Sequence, residues 1–273
     1  MKIEEIKAIP PGQHGWRQMP NGNLVMVGDN VTLGEDVTLG HYVSISDGAS
    51  IGDKVNIGSF SEIGKGVTVW SACHIGKNVQ IEEGVEIGDG ARIGDDAEIL
   101  REAYIGDGVF IGKEAKIGRS VVVKGNTCIG NGSEIGGHSQ IGEEVIVGTK
   151  AYLGRNVKIG DYVILDTFTF IGDDVLVGDG VTIASMVKIR QGVRLNKTPP
   201  QIIGSGLPIV LLPGHLIQIH EIVGDIDWWK RNAHTLVEKC NYSDNQVKEY
   251  QGYIEALAII DSVFKWSGDD VRS

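Results

Sequence analysis

Histidine and arginine are the residues of this chain that could carry proton transfer and anion binding. Imidazole can take up a proton near neutral pH, and a guanidinium group can hold a phosphate through two parallel hydrogen bonds. The chain has seven histidines, and three of them stand in a regularly repeating part of the sequence: His41, His74 and His138. These three are the candidate general bases.

Arginines recur beside one of these histidines. Arg101, Arg119 and Arg155 fall on a single series with a spacing of 18 residues, in which Gly137 fills the one intervening position. His138 directly follows that glycine, which would leave space beside the imidazole. On a chain with a formal net charge of −11, the series predicts a phosphate-binding ridge. The alternative is that these arginines only balance neighbouring Asp and Glu side chains.

A strict six-residue repeat positions all of these side chains. From Val27 to Leu195, every sixth residue is Ile, Leu or Val, which gives 29 positions without an insertion, and Gly directly follows 20 of them. The residue two places before each is Val, Ala, Ser, Thr or Cys. A three-residue strand points its first and third side chains the same way, so each hexad would bury two residues. Glycine suits the sharp turn that follows.

This pattern resembles the hexapeptide-repeat family over residues 25–196. The resemblance implies an all-β solenoid, a left-handed parallel β-helix of about ten triangular coils, in which residues 18 apart stack on one another. His41 and His138 would then lie at corners of the triangle. His74 would lie on a flat face next to Arg92, and Cys73 would be an unreactive core residue.

The segments that flank the repeat are expected to close its ends, because the end of a β-helix is an exposed edge. Residues 1–24 are predicted to form an N-terminal cap, 25–198 the β-helix, and 199–273 a C-terminal appendage of short strands and two helices. One helix is predicted over about 226–240. A second, opened by a capping box, is predicted over about 243–266.

The outward-facing residues predict an assembly surface. They are nearly all polar in the first half of the repeat, but an apolar ladder with 18-residue spacing follows, formed by Phe110, Cys128, Ile146 and Ile164. An apolar stripe of this length should be covered. We expect it to be either the interface of a homotrimer, which is the usual assembly of the family that the chain resembles, or a surface covered by the C-terminal appendage.

The resemblance also implies an activity. Many hexapeptide-repeat proteins transfer an acyl group from acyl-CoA or acyl carrier protein to an amine or hydroxyl, in the groove between two neighbouring subunits and with histidine as the general base. The expected donor here is acetyl-CoA or another acyl-CoA, and the expected acceptor is an amino or hydroxyl group of a sugar or nucleotide-sugar. The catalytic candidates are His138, His41 and His74, and the candidates for binding the cofactor phosphates are Arg101, Arg119 and Arg155. The phrase "VWSACHI" at 69–75 is similar to the opening of the repeat in amino-sugar N-acetyltransferases.

One feature of the repeat favours a different function. Many enzymes of this family interrupt the repeat with a loop that projects over the neighbouring subunit's active site, whereas the hexads of this chain run without a break. The alternative is therefore a non-catalytic trimeric β-helix protein that binds a small ligand or serves as an assembly scaffold.

Composition excludes several other classes. The net charge of −11 argues against nucleic-acid binding and against binding to anionic membranes, and no apolar run reaches the roughly 18 residues of a membrane span. Three scattered cysteines form neither a disulfide framework nor a CxxC metal site. The γ-class carbonic anhydrases share the implied fold but need three histidines, and the only close pair here, His215 and His220, lies outside the repeat. We therefore expect no metal and a cytoplasmic location.

Overall fold

The computed structural model describes residues 3–264 and 266 of the 273-residue chain. Residues 1–2, 265 and 267–273, which belong to the predicted terminal segments, lie outside the described residues. Three sheets wind around one apolar core as a left-handed parallel β-helix of about ten coils. The fold predicted from the hexad is confirmed.

Each sheet forms one side of the triangular coil, and all strand pairs are parallel except the first pair of sheet A. Sheet A contains Arg17–Gln18, Leu24–Val27, Val43–Ile45, Glu62–Ile63, Gln80–Ile81, Glu98–Ile99, Lys116–Ile117, Glu134–Ile135, Tyr152–Leu153, Phe170–Ile171 and Lys188–Ile189. Sheet B contains Thr32–Leu33, Ser50–Ile51, Thr68–Val69, Glu86–Ile87, Tyr104–Ile105, Val122–Val123, Gln140–Ile141, Lys158–Ile159, Leu176–Val177 and Arg194–Leu195. Sheet C contains Thr38–Leu39, Asn56–Ile57, His74–Ile75, Arg92–Ile93, Phe110–Ile111, Cys128–Ile129, Ile146–Val147, Ile164–Leu165 and Thr182–Ile183.

The register between coils is 18 residues throughout the β-helix. On sheet C, for example, Phe110 pairs with Cys128 and Cys128 pairs with Ile146. Both inward positions of each hexad are buried, as at Val55 and Ile57, which are fully shielded from solvent. Because burial of an isoleucine contributes roughly 1.5–3 kcal/mol, the stacked aliphatic residues hold the coils together.

Hydroxyl side chains at inward positions cross-link successive coils. Thr127, for example, is buried, and its hydroxyl donates to the carbonyl of Gly142 at 2.8 Å and accepts from the N–H of Val145 at 3.2 Å. Ser61 makes the same pair of bonds nearer the N-terminus, to Gly76 and Val79. These bonds explain why Ser and Thr are tolerated in the core, since a buried hydroxyl needs hydrogen-bonding partners.

The recurrent glycine of the hexad is required by close approach of the next coil. A Cβ atom on Gly136 would lie 2.4 Å from the carbonyl group of Gly154. The left-handed backbone conformation falls instead two residues after the glycine position, as at Tyr42 and His138, whose φ angles are 57° and 62°. The side chains at these corner positions therefore project from the triangle.

The N-terminal segment lies against the first coil. It consists of helix α1 (Ile3–Ala8), a 3₁₀ turn over Gln13–Gly15 and the strand Arg17–Gln18, which pairs antiparallel with Leu24–Val27. Ile6 and Met19 from this segment are buried in the β-helix core.

The C-terminal appendage has its own sheet and its own core. Sheet D is an antiparallel meander of Gln201–Ile203, Pro208–Leu212, Leu216–Ile219 and Ile222–Asp225. Helices α2 (Ile226–Asn232), α3 (Thr235–Cys240) and α4 (Asp244–Val263) pack on it. Trp229 is fully buried there and donates its indole N–H to the carbonyl of Ile217 at 2.8 Å.

The helices of the appendage differ in detail from those predicted. The region predicted as one helix over about 226–240 is divided at Ala233 and His234 into α2 and α3. The capping box that opens α4 is present, with Ser243 and Gln246 bonded to each other's backbone N–H, but the helix ends at Val263.

Candidate functional site

A groove of about 490 Å³ lies where sheet A meets the corner that leads to sheet B, here called corner AB. It brings together His138, Arg119 and Arg155 from three successive coils. The other polar side chains that line it are Glu98, Lys116, Glu134 and Tyr152. Three of the predicted site residues therefore share one concave surface, which we call the corner groove.

The backbone holds His138 at the projecting position of corner AB. Its φ of 62° is left-handed, and its N–H donates to the carbonyl of Arg119 at 2.9 Å, in the preceding coil. The side chain is exposed, and within the described part of the chain no hydrogen bond engages its ring. Both ring nitrogens of His138 are consequently available to a ligand.

The two arginines of the corner groove differ in their partners. Arg119 is 3.4 Å from a carboxylate oxygen of Glu102, and both side chains are about 60% exposed. Bonds from Ser120 and Arg119, in that order of importance, hold the pKa of Glu102 below its usual range. Such an exposed ion pair contributes little, ~0–1 kcal/mol, so Arg119 can be redirected to a ligand at low cost.

Of the two arginines, Arg155 has the fewer contacts with acidic side chains. Its backbone N–H donates to Asp173 at 2.8 Å, whereas among residues 3–264 and 266 its guanidinium makes no ion pair. Gly137, which precedes His138, also lines the corner groove and adds no side chain to it. An anion at this corner would therefore meet a free guanidinium beside an imidazole.

Arg101 lies one coil away from these groups and does not line the corner groove. Its guanidinium is 3.6 Å from Glu82, and its backbone N–H donates to the same carboxylate at 3.1 Å. The contacts of Arg101 therefore agree with the alternative interpretation, in which the arginine balances a neighbouring acidic side chain. The phosphate-binding role of Arg101 stays a prediction without local support.

Sheet A supplies polar residues that the sequence analysis did not single out. Lys116 pairs with Glu98 at 3.5 Å, whereas Glu134, in the next coil, has no ion pair within the described residues. Tyr152 follows in the coil after that. Stepping by 18 residues along sheet A from Glu98 reaches all of them, so the periodicity itself contained this signal.

His41 lies outside the corner groove, near the N-terminal end of the β-helix. Its Nδ1 atom accepts the backbone N–H of Leu24 at 3.1 Å, and its ring lies edge-on to Tyr42, with 4.2 Å between centroids. The neutral ring then carries its proton on Nε2. Because its acceptor nitrogen is already occupied, His41 is poorly placed to take a proton from a substrate.

His74 lies on the flat face of sheet C, paired with Asn56 on one side and Arg92 on the other. The neighbouring Trp70 projects from its corner and donates its indole N–H to Glu86 at 3.1 Å. Cys73 is buried, and burial raises the pKa of its thiol to about 11. The stretch around His74 therefore offers an exposed imidazole on a flat sheet, beside a buried and unreactive thiol.

A histidine–carboxylate pair occurs in the C-terminal appendage. His215 Nδ1 lies 2.6 Å from Asp261 Oδ2, and the Asp261 side chain is only 8% exposed. The pair joins the turn between two strands of sheet D to helix α4 and lies outside the corner groove. No sequence signal could reveal it, because its members are 46 residues apart in unrelated elements.

A second groove, of about 560 Å³, lies on sheet B between Lys124 and Lys158. Lys124 is 3.7 Å from Asp161, and no histidine lines this groove. Within the described residues, no three His, Cys, Asp or Glu side chains come together as metal ligands would. No helix in residues 3–264 has the length and apolarity needed to cross a bilayer.

The apolar ladder of sheet C is exposed in the single chain. Phe110, Ile146 and Ile164 are each at least 40% exposed, and Cys128 between them is partly exposed. The described part of the C-terminal appendage therefore does not cover the ladder, and that alternative is wrong for residues 199–264 and 266. The homotrimer interface stays as the prediction for this surface.

Two family models match the sequence. The model described as the bacterial transferase hexapeptide (six repeats) matches residues 30–65 and 71–101, and the model described as the GMPPB C-terminal domain matches residues 93–187. No curated protein matches the sequence at a significant level.

Several solved structures resemble the chain. The acetyltransferase domain of PglB from Neisseria gonorrhoeae, in complex with acetyl coenzyme A, is 22% identical with a TM-score of 0.30, and the match covers 42% of this chain and 50% of that one. The chain thus spans about half of that structure. UDP-N-acetylglucosamine acyltransferase from Campylobacter jejuni is 16% identical over 90% of both chains, with a TM-score of 0.30. The corresponding enzyme from Bacteroides fragilis is 14% identical over 88% of this chain and 93% of that one, with a TM-score of 0.32.

The sequence and the fold of the chain themselves identify its repeat. Its hexads run unbroken from Val27 to Leu195, its coils stack in an 18-residue register on three sheets, and the hexapeptide model matches residues 30–65 and 71–101. Residues 25–196 therefore form a left-handed parallel β-helix of hexapeptide repeats.

Proposed function

We propose that the protein is an acyltransferase that moves an acyl group from acetyl-CoA or another acyl-CoA to an amino or hydroxyl group of a sugar or nucleotide-sugar. The observation that carries the proposal is the convergence of His138, Arg119 and Arg155 on the corner groove. The match to a transferase hexapeptide model supports the same reaction class. We place the active site between neighbouring subunits of a homotrimer.

His138 is the general base in this proposal. One nitrogen of its ring accepts the proton of the acceptor's amine or hydroxyl as that group attacks the thioester carbonyl carbon. The new C–N or C–O bond forms and the C–S bond breaks. The departing thiolate then receives this proton from the imidazolium and leaves as the free thiol, which restores the neutral base.

Arg155 and Arg119 hold the phosphates of the carrier. Among the described residues Arg155 has no competing ion pair, and Arg119 has only a weak, exposed one to Glu102, so both can form bidentate contacts with phosphate oxygens. Glu134, which makes no ion pair with any residue that the structure describes, can accept hydrogen bonds from hydroxyl or amino groups of the acceptor. The corner groove thus offers a base, cations and an acceptor of hydrogen bonds.

The proposal is tested by acyl-CoA binding and by turnover. Acetyl-CoA should raise the melting temperature of the wild-type protein, and Arg119→Ala combined with Arg155→Ala should abolish that shift. Arg101→Ala is the matched control, because this arginine lies outside the corner groove. His138→Gln should lower kcat by about 10²- to 10⁴-fold, whereas His41→Gln should leave it unchanged. If no acyl-CoA raises the melting temperature of a folded trimer, the acyltransferase proposal is refuted.

A non-catalytic function has one observation in its favour. The 18-residue register continues without an inserted loop through all three sheets, so no element of the repeat projects over the corner groove. If acyl-CoA neither binds nor reacts, a trimeric ligand-binding or scaffold protein becomes the better description. A sugar or nucleotide that raises the melting temperature without being consumed would then identify its ligand.

A further inference from the structure

A groove of about 420 Å³ lies where the C-terminal appendage meets the last coil of the β-helix. Three elements that are distant in sequence contribute basic side chains to it: Arg190 from the end of sheet A, His220 from the turn between two strands of sheet D, and Lys239 from the last turn of α3. We call this surface the junction groove. None of the described residues that line it also lines the corner groove.

Arg190 stands at the hexad position that glycine often occupies. At Gly172, one coil earlier, an added Cβ would lie 2.6 Å from the backbone nitrogen of Gln191 in the next coil. Lys188–Ile189 is the last strand of sheet A, so this sheet has no further coil with which a side chain at 190 could collide. The end of the β-helix therefore accommodates a long cationic side chain at Arg190.

A buried glutamine holds the turn of sheet D against this end of sheet A. Gln218 is only 2% exposed. Its side-chain carbonyl accepts the backbone N–H of Lys188 at 3.3 Å, and its amide donates to the backbone carbonyl of His220 at 2.8 Å. Breaking these bonds would leave buried polar groups unsatisfied, which is costly. His220 is therefore held close to the strand that leads into Arg190.

The charges of the junction groove favour an anion. Within the described part of the chain, neither Arg190 nor Lys239 makes an ion pair, and no hydrogen bond engages the ring of His220. Glu221 is the one described carboxylate that lines the groove, so the two cations outnumber it even when His220 is neutral. On a chain of net charge −11, such a local excess of positive charge attracts anions.

The basic side chains also have a simpler explanation. Lys239 can offset the dipole at the C-terminus of α3, and Arg190 can be an ordinary solvated residue. Neither role requires the two cations to line one concave surface, which also presents the partly buried Ile222 and Val223. The convergence therefore favours a ligand with an anionic part and an apolar part.

We infer that the junction groove binds a phosphate dianion, carried by a small molecule, that joins the appendage to the β-helix. The guanidinium of Arg190 can hold two phosphate oxygens, Lys239 adds a second positive charge, and His220 can donate a ring N–H. A phosphate monoester carries a charge of about −1.5 to −2 at pH 7, which matches two cations. The groove volume lies in the range of small-molecule sites, ~300–1,000 Å³, so an organic group can lie beside Ile222 and Val223. This site is separate from the corner groove and does not depend on acyl transfer.

Titration calorimetry with the full chain at low ionic strength tests this site. The probes are glucose 6-phosphate, inorganic phosphate and glucose. Glucose 6-phosphate should bind, whereas uncharged glucose should not. Weaker binding of inorganic phosphate would identify a phosphate monoester as the ligand, and equally tight binding would identify free phosphate.

The two cations are tested by substitution. Arg190→Gln should weaken binding of glucose 6-phosphate by about 10- to 150-fold, the loss expected for hydrogen bonds to a charged group, and Lys239→Gln should also weaken it. The matched controls are Arg194→Gln and Lys230→Gln, because both side chains are exposed and lie outside the junction groove. Circular dichroism would establish that each variant is folded.

A separate phosphate site is ruled out if neither phosphate probe binds, or if the double variant Arg190→Gln with Lys239→Gln binds as tightly as wild type. Saturating acetyl-CoA provides a second test. If it prevents glucose 6-phosphate from binding, the junction groove belongs to the carrier's site and the inference is overturned. If both ligands bind together, the separate site is supported. If acetyl-CoA does not bind at all, the acyltransferase proposal fails, and the dependence of phosphate binding on Arg190 and Lys239 still decides this site.

Discussion

Replacement of Ile146 by glutamate tests whether the apolar ladder joins the subunits of a trimer. In the ladder, Ile146 lies between Cys128 and Ile164, so a carboxylate there would have no cationic neighbour in its own row. The side chain points outward from sheet C and leaves the β-helix core untouched. We therefore expect folded monomers.

The size of the effect follows from the exposure of Ile146. The side chain is 48% exposed in the single chain, and full burial of isoleucine is worth roughly 1.5–3 kcal/mol, so covering the exposed half contributes about 1 kcal/mol at each interface. An unpaired carboxylate enclosed by the neighbour costs roughly 3–5 kcal/mol more. Over three equivalent interfaces the loss is roughly 12–18 kcal/mol, which corresponds to about 9 to 13 orders of magnitude in the assembly constant.

Light scattering after size-exclusion chromatography at micromolar concentration measures this change directly. The wild-type protein should elute with the mass of a trimer and Ile146→Glu with the mass of a monomer. Gln80→Glu, which adds the same charge at an exposed outward position in the polar half of sheet A, should stay trimeric. A trimeric Ile146→Glu variant would show that the ladder is not the interface.

Four further predictions concern the core and the groove. Thr127→Val should lower the free energy of unfolding by about 1 kcal/mol, measured in urea, since the N–H of Val145 loses its acceptor; an unchanged value would contradict the cross-linking role of the hydroxyl. Cys73, whose thiol pKa burial raises to about 11, should react with iodoacetamide at pH 8 only after unfolding, and fast labelling of Cys73 itself in native protein would refute its burial. Mass spectrometry of peptides separates its label from that of the partly exposed Cys128 and Cys240. As the pH rises from about 9 toward 11, the unfolded chain loses the Cys73 thiol proton first, so the native state should lose stability relative to Cys73→Ala, which urea unfolding at several pH values would measure. Arg155→Ala alone should reduce the acetyl-CoA melting shift, whereas Arg101→Ala alone should retain it, and equal effects would rule out the corner groove.

The β-helix could be predicted from sequence because each hexad repeats the same arrangement of residues. Two inward residues and a tight turn recur at every step, so the periodicity fixed both burial and the neighbours of each residue, as the pairing of Phe110 with Cys128 illustrates. The role of the recurrent glycine was less evident. Only the stacked coils reveal that a Cβ at Gly136 would collide with the carbonyl of Gly154.

The appendage was predicted less accurately because its local sequence does not determine its bends. No Gly or Pro marks the break between α2 and α3. There, the hydroxyl of Thr235 donates to the carbonyl of Asn232 at 2.8 Å, and the amide of Asn232 donates to the carbonyl of Trp228 at 2.8 Å. The Thr235 hydroxyl thus satisfies a backbone carbonyl at the end of α2 that a continued helix would otherwise satisfy.

The candidate site likewise contains some features that the repeat spacing predicts and others that it does not. His138, Arg119 and Arg155 could be grouped from their spacing because residues 18 apart stack along one corner. The sequence could not separate Arg101 from the other arginines, since its exclusion depends on where the groove is concave and on its contact with Glu82. Side-chain contacts of this kind have no periodic signature.

A strict register also determines how a ligand can lie in the corner groove. Successive coils are ~4.8 Å apart, so Arg119 and Arg155, separated by two coil steps, stand roughly 10 Å apart along the axis, with His138 in the coil between them. A ligand that reaches both arginines must therefore run along the axis and pass the imidazole. One added hexad between Arg119 and Arg155 would move the later arginine to a different corner, whereas 18 added residues would restore the corner and lengthen the groove. The 18-residue spacing of the coils between these residues is thus a requirement of the site.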